Sequence, residues 1–508
     1  MDMKTAVVIG AGPAGLSAAA KLVELSNEWR VIVLEATDAI GGLSRTVRHN
    51  GCRLDIGGHR FFSKSREVTE FWEKLMPTQG LPAWDDSQIR RSDHLAHGGP
   101  DPERENRVML RRRRISRIYY LRHFFNYPIA ISFATLWALG PVRTVRAGLS
   151  YLFSSLVKRT EDSLENFYIN RFGRTLYSMF FEDYTEKLWG VHPSAISPTW
   201  GSQRVKGLSL WKVLANAFLP KHGVRETSLI EEFSYPKFGP GQLWEALADD
   251  LMEKGVDIRL NARVDRLLMT GGKISAVVAN GREIACDAVF SSMPVKDLVS
   301  ALPDVPAAVA DVASRLPYRD FITVGLKVGR LAIENRSRLK TVNGLIPDTW
   351  VYVQDRDVKL GRIQVFNNWS PYMVDDPARH VWIGLEYFCS EGDAFWQADD
   401  DVFVAKAVAE LRQIGMLSPD TPVLDSVRIR VQKAYPAYFG AYGQFKTIRS
   451  YLDAIGNLCC IGRNGQHRYN NMDHSVLCGF EAARTLVSGT DKSAIWRVNT
   501  EKDYHEGT

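Results

Sequence analysis

Cysteine is scarce, six in 508 residues, and no C-x-x-C or Cys/His spacing of the zinc kind occurs. That excludes a disulfide framework and a metal module. Cys459 and Cys460, adjacent in an apolar run, read as buried core thiols, which fits a reducing compartment. Charge of one sign is not in excess: 64 Lys+Arg stand against 58 Asp+Glu, a net charge of +6. So mild a balance suits a small anionic ligand and gives no reason to expect nucleic acid. Long hydrophobic runs are missing too. The longest uncharged stretch, residues 124–142, is broken by Asn126, Pro128 and Gly140-Pro141, which is poor for a spanning helix. It reads as a core helix of a second domain, with contact to a membrane surface as the alternative. No charged-then-apolar leader precedes the first strand, so no signal peptide is expected and the cytoplasm is the expected compartment. Internal repeats and low-complexity tracts are absent. What remains is an ordinary globular composition, 45% hydrophobic and 24% charged, on a chain long enough for two or three domains.

The first forty-five residues organise the rest. Residues 4–9 (KTAVVI) are an apolar run of strand length, and Gly10, Gly12 and Gly15 follow as G-x-G-x-x-G. Residues 16–25 carry apolar positions at helical spacing, and residues 30–34 (RVIVL) form a second strand that ends on Glu35. An acid about 20 residues after the glycines completes a dinucleotide fingerprint. The glycines serve a tight turn, close approach to a pyrophosphate, and helix–strand packing. The helix N-terminus offers free N–H groups to the phosphates, and Glu35 is placed for the ribose hydroxyls. A second glycine pair, Gly41-Gly42, follows at once, with Arg45 able to meet phosphate. This start resembles the FAD-binding end of the amine oxidase and protoporphyrinogen oxidase superfamily, and FAD is the expected cofactor.

Further along, residues 53–62 (RLDIGGHRFF) read as a strand, a glycine turn and an aromatic segment. Residues 67–75 are an amphipathic helix; residues 84–106 read as a polar surface loop, and the run Arg111–Arg114 as a solvated face. Residues 163–190 are helical in period. From 321 to 387 strand follows strand, which predicts a separate antiparallel sheet. A strand at 457–461, Gly462-Arg463 and a helix near 475–487 return the chain to the flavin. The expected fold is therefore α/β. A discontinuous Rossmann-like FAD-binding domain takes residues 1–84, 241–300 and 426–508. A mostly helical insertion with a mobile loop takes 85–240, and an antiparallel-sheet substrate domain 301–425.

Six stretches in order resemble the UDP-galactopyranose mutases. They are Gly57-Gly58-His59 with Phe62; Tyr184-Thr185-Glu186-Lys187-Leu188-Trp189-Gly190; Gln203-Arg204-Val205; Leu316-Pro317-Tyr318-Arg319; Gly361-Arg362-Ile363; and Gly462-Arg463 followed by Tyr469 and Met472. The resemblance implies that Arg204 and Arg362 hold a diphosphate, a task suited to forked guanidinium groups. Tyr184 and Trp189 would border a nucleotide-sugar, His59 would sit beside the flavin N5, and Tyr469 near diphosphate and sugar. Tyr318, Arg319 and Tyr435 join the substrate set; Gly58, Gly462, Arg463 and Met472 belong to the flavin end, and no metal is expected. The implied reaction interconverts pyranose and furanose forms of a nucleotide-sugar through an adduct at the reduced flavin N5. NAD(P)H would serve only to prime the flavin. Departures from the family pattern are Asn471 before Met472, Leu360 two residues before Arg362, and residues 85–117, which match nothing in the family. The competing reading is an oxidase or desaturase of the amine oxidase type, acting on an amine, cyclic or lipid-like substrate. A flavoprotein scaffold that binds glycosyltransferases is a third. The oligomeric state is open.

Overall fold

The computed structural model describes residues 3–92, 95–126, 139–198, 201 and 232–499. A five-stranded parallel sheet runs in the order Leu458–Cys460, Ala288–Ser291, Lys4–Ile9, Trp29–Leu34, Asp257–Arg259. Its strands read as near-continuous apolar runs because both faces are covered. Ala6, Val8, Val31 and Val33 pack with the helices Pro13–Leu25, Gly241–Glu253 and Met472–Ser488. Val7, Ile9, Ile32 and Leu34 face Val295–Ala301, Ala307–Ser314 and Phe445–Ala454 on the other side. The helices Pro13–Leu25 and Met472–Ser488 touch at backbone distance: a Cβ on Gly479 would lie 2.5 Å from the Ala14 carbonyl oxygen. A three-stranded antiparallel sheet, Val264–Thr270, Lys273–Ala279 and Arg282–Ala285, leads back into the parallel sheet as the sequence suggested.

The second large unit is a seven-stranded sheet. Its order is Val423–Pro436, Tyr318–Val328, Val381–Cys389, Arg362–Val365, Trp350–Val353, Ser116–Tyr120, His123–Asn126. All neighbours are antiparallel except Trp350–Val353 with Ser116–Tyr120. Strand side chains alternate between faces, and here the two faces differ in kind. Ile322, Val324, Leu326, Val351, Ile363, Val365, Ile383 and Leu385 close a dry core with Phe403, Ala407 and Leu411 of the helix Asp400–Gln413. The residues between them, Phe321, Trp350, Tyr352, Arg362, Gln364, Glu386 and Phe388, point the other way and form a wall of the candidate site. The sheet takes strands from both sides of the 301–425 segment.

Three expectations change. The arginine run is not a solvated face: Met109–Arg113 is a strand paired with Glu232–Pro236, and Arg112 is buried. Its guanidinium donates to both Asp85 oxygens, at 2.9 and 3.1 Å, and lies 3.4 Å from buried Asp86. Those acids sit on a helix, Trp84–Ile89, so residues 84–106 are not loop throughout. Residues 163–190 are not one helix. Leu164–Tyr177 kinks at Gly173 (φ 78°), a π-turn covers Ser178–Glu182, and Asp183–Trp189 follows. Most of the uncharged 124–142 stretch lies outside the described residues.

Candidate active site

Separate passes of the chain meet at the start of the Pro13–Leu25 helix. Gly10 adopts φ +103°, and a Cβ on Gly15 would overlap the Gly10 carbonyl oxygen. Gly42, at φ +54°, lies so near Gly12 that a Cβ would stand 3.1 Å from the Gly12 Cα. The Gly41 N–H donates to the Ala11 carbonyl at 3.0 Å. Gly462, at φ +73°, approaches the same turn, where a Cβ would be 2.7 Å from that of Ala14. Side chains are thus excluded at Gly10, Gly15, Gly42 and Gly462 around this turn, and Gly12, the N-cap, leaves the helix end without a side-chain partner for a pyrophosphate to replace. Buried Glu35 accepts from the Ala11 N–H (2.9 Å) through one oxygen and from the Thr37 N–H (2.9 Å) and hydroxyl (2.8 Å) through the other. Arg45 follows on the second glycine pass, and Met472 opens the long C-terminal helix behind its N-cap, Asn471. This cradle fits FAD.

The Gly57-Gly58-His59 turn lies close to Arg463, the residue after Gly462. Gly57 has φ +127°, and a Cβ on Gly58 would enter the Trp350 ring. The His59 Nδ1 lies 2.9 Å from the Gly57 carbonyl oxygen, which can only accept, so this nitrogen carries the proton. Burial, with Arg463 beside it, pushes the imidazole pKa down to about 4. His59 is therefore neutral near pH 7 and keeps a lone pair on Nε2.

Next to this turn stands Arg362, buried and enclosed by aromatic rings. Its Nε donates to the Tyr184 hydroxyl at 2.7 Å; its Nη1 donates to Glu386 at 3.0 Å and reaches the Tyr435 hydroxyl at 3.5 Å. The guanidinium lies 5.2 Å from the centre of the Trp350 ring and 4.7 Å from that of Phe388. Burial works against the charge, but Tyr184, Tyr435 and Glu386 hold the Arg362 pKa well above its usual value. Tyr435 stacks on Tyr469, rings 5.7 Å apart and 8° from parallel. Arg463 covers that pair, 4.7 Å from the Tyr469 ring, fixed by bonds to the carbonyls of Asn470 (2.9 Å) and Ala434 (3.1 Å). Tyr184, Arg362, Tyr435, Tyr469 and Arg463 thus form one contiguous group.

Other candidates serve elsewhere. Arg319 donates to the Leu188 carbonyl (3.0 Å), the Ser390 hydroxyl (2.7 Å) and the Phe388 carbonyl (3.3 Å), and its guanidinium lies against Gly190. It clasps the end of the Asp183–Trp189 helix to the sheet. Trp189 is buried in the same aromatic cluster, edge-on to Phe439 at 6.4 Å. Tyr318 packs edge-on to His467 at 4.7 Å. Arg204 lies outside the described residues.

Reading the sequence missed Glu386, which accepts from both Arg362 and Gln364 (2.9 Å). The signal was present: a carboxylate in a strand whose every residue is buried needs a cationic partner. It also missed Lys187. Burial lowers that ammonium to about 8, and it donates to the carbonyls of Asp355 (2.5 Å), Val353 and Leu360 (3.4 Å each). Lys187 thereby ties the Tyr184 helix to the strand ends around Arg362.

Residues 13–485 match the family described as flavin containing amine oxidoreductase. Coproporphyrinogen III oxidase of Staphylococcus aureus is 23% identical over 342 residues, 65% of this chain and 69% of its own. Phytoene dehydrogenase of Streptomyces griseus is 25% identical over 340 residues, 62% of this chain and 56% of its own, so the chain spans little more than half of that relative. Among solved structures, a reduced UDP-galactopyranose mutase superposes with a TM-score of 0.77 at 21% identity, covering 99% of this chain and 100% of that one. A protein from Exiguobacterium described as a putative protoporphyrinogen oxidase follows, with a TM-score of 0.68 at 15% identity, over 96% and 100% of the two chains. With its glycine cradle and with nearly its whole length matched, this chain belongs to the flavin containing amine oxidoreductase family.

Proposed function

We propose that this flavoenzyme is a nucleotide-sugar mutase that interconverts pyranose and furanose rings without net redox change. One observation carries the reading: Arg362, Tyr184, Tyr435 and Tyr469 come from distant parts of the sequence and meet in one cluster beside the flavin turn. Three of the four stand in the stretches that resemble the mutases. The likeness to the reduced mutase over 99% of this chain supports it as well.

The roles follow from the donors. Arg362 stays charged, and its Nη2 is the guanidinium nitrogen left over after Tyr184, Glu386 and Tyr435 are served. With the Tyr184 and Tyr435 hydroxyls it offers N–H and O–H donors to a diphosphate as that group leaves the anomeric carbon and later returns. The Tyr435–Tyr469 stack is an apolar platform for a sugar or base face. Neutral His59 withholds a proton from the ring and accepts through Nε2. When bound in reduced form, the flavin supplies the nucleophile; NAD(P)H is the proposed reductant. A second reading, an oxidase or desaturase, is favoured by Glu386. That carboxylate neutralises Arg362 and leaves an aromatic wall of little net charge.

Dithionite-reduced enzyme incubated with a panel of nucleotide-sugars distinguishes the two, with pyranose and furanose forms separated by anion-exchange chromatography. Interconversion that falls at least about a hundredfold in Arg362→Met is expected, the scale of losing one strong transition-state contact. Peroxide release by the oxidised enzyme on an amine or cyclic alkene, with no interconversion, overturns the mutase reading.

A further inference from the structure

The helix Pro141–Leu156 is built inside out. Val142, Val145, Leu149, Leu152, Phe153 and Leu156 are each more than half exposed, Leu156 at 84%. At 3.6 residues per turn these six positions fall within an arc of about 100°, the width of a core-facing stripe. The opposite side is what the protein buries, and apart from half-buried Tyr151 it carries small residues: Ala147 and Ser154 are covered, and the Ser150 hydroxyl accepts from the Thr175 N–H at 3.1 Å. There the helix rests on Leu164–Tyr177. The kink at Gly173 lets the backbones meet, since a Cβ on Gly173 would lie 2.8 Å from the Tyr151 nitrogen. Ordinary packing therefore leaves the large apolar side chains facing outward, far beyond the scattered exposed leucines of a normal surface.

We propose that this face docks on an anionic lipid surface. Charge selects that occupant. Residues 139–160 carry Arg143, Arg146, Lys158 and Arg159 and no acid at all. Acids return only at Glu161 and Asp162, beyond the helix, and a stripe of Leu, Val and Phe on a helix whose only charges are Arg143 and Arg146 matches headgroup phosphates above acyl chains. The chain just before the helix is uncharged back to residue 124, so apolar character extends beyond the helix itself. No helix among the described residues is long and apolar enough to cross a membrane; the helix lies on the surface. The next helix, Leu164–Tyr177, leads into the Asp183–Trp189 helix that carries Tyr184, so the docked face is linked through packed structure to the site wall. The docking does not depend on which reaction the site performs.

The full-length flavin-loaded protein is sedimented with sucrose-loaded vesicles of phosphatidylcholine alone or mixed with phosphatidylglycerol. Wild type is expected to pellet with the mixed vesicles and to be largely released by molar salt, which collapses electrostatic attraction. Leu149→Glu/Phe153→Glu is expected to weaken that binding at least about tenfold, with flavin absorbance and thermal melting unchanged because both side chains are exposed. Arg143→Glu/Arg146→Glu is expected to remove the preference for phosphatidylglycerol. The proposal is overturned if wild type stays in the supernatant with both vesicle types, or if the Glu variants bind as well as wild type. It is equally overturned if light scattering shows a dimer that the Leu149→Glu/Phe153→Glu change dissociates, since the face would then join two copies of the chain.

Discussion

Single side chains in this protein are legible where backbone geometry demands one residue type. Gly10, Gly15 and Gly42 could be read from the sequence because no other residue fits a turn that closes on itself. Glu386 could not. Its partner Arg362 lies 24 positions away, and the two face each other only once the strands Arg362–Val365 and Val381–Cys389 adopt their register. His467 is a similar case. It is fully buried against Tyr318, Tyr442 and Phe445, with Nε2 3.2 Å from the Ala437 carbonyl oxygen. Burial lowers its pKa to about 4 from 6.5. Above pH 6.5 both folded and unfolded chains hold it neutral. Below that the unfolded chain takes up a proton that the folded chain refuses until about pH 4, so stability falls across this window. The difference amounts to at most about 3 kcal/mol. Thermal melts between pH 7 and pH 4 are expected to show a shallower decline for His467→Gln than for wild type. Parallel slopes would mean that the folded protein protonates this histidine freely.

At the scale of elements, apolar period identified the parallel strands, the antiparallel run and the long C-terminal helix. It misjudged elements whose partners are charged. A run of arginines has the look of a surface, but Met109–Arg113 is a largely buried strand because Asp85 and Asp86 compensate Arg112. The kink at Gly173 escaped notice because amphipathic spacing continues through it. That glycine is required twice, by φ 78° and by the Tyr151 backbone against it. Gly173→Ala is expected to cost about 2 kcal/mol or more, from left-handed strain plus the steric push on the neighbouring helix. It is also expected to speed proteolytic cleavage within Pro141–Leu156. Unchanged melting and unchanged cleavage would show that the two helices separate without penalty.

For the whole molecule, the division into a flavin part and an antiparallel part was visible in the order of strands. The seams were not. Strands Ser116–Tyr120 and His123–Asn126 join the seven-stranded sheet from one side of the chain and Val423–Pro436 from the other. Pairing of that kind has no local signal, since each strand looks complete by itself. A fragment of residues 301–425 expressed alone lacks both flanking sets and the flavin part that covers its other face. It is expected to show no cooperative melt by circular dichroism, and a sharp transition would mark it as an independent domain.

The order of the parallel sheet also bears on how the chain comes off the ribosome. Lys4–Ile9 pairs with Ala288–Ser291, and that strand in turn with Leu458–Cys460. Some 280 residues must therefore be synthesised before the first strand meets its second neighbour, and nearly 170 more before the sheet is closed. During that interval the nascent protein carries an open, apolar strand edge, the kind that pairs with other chains. The nucleotide cradle also needs Gly462, some 450 residues after its first glycine, Gly10. The cofactor can thus clamp the cradle only after Gly462 has been made, and holding chaperones have their longest work on the strand Lys4–Ile9.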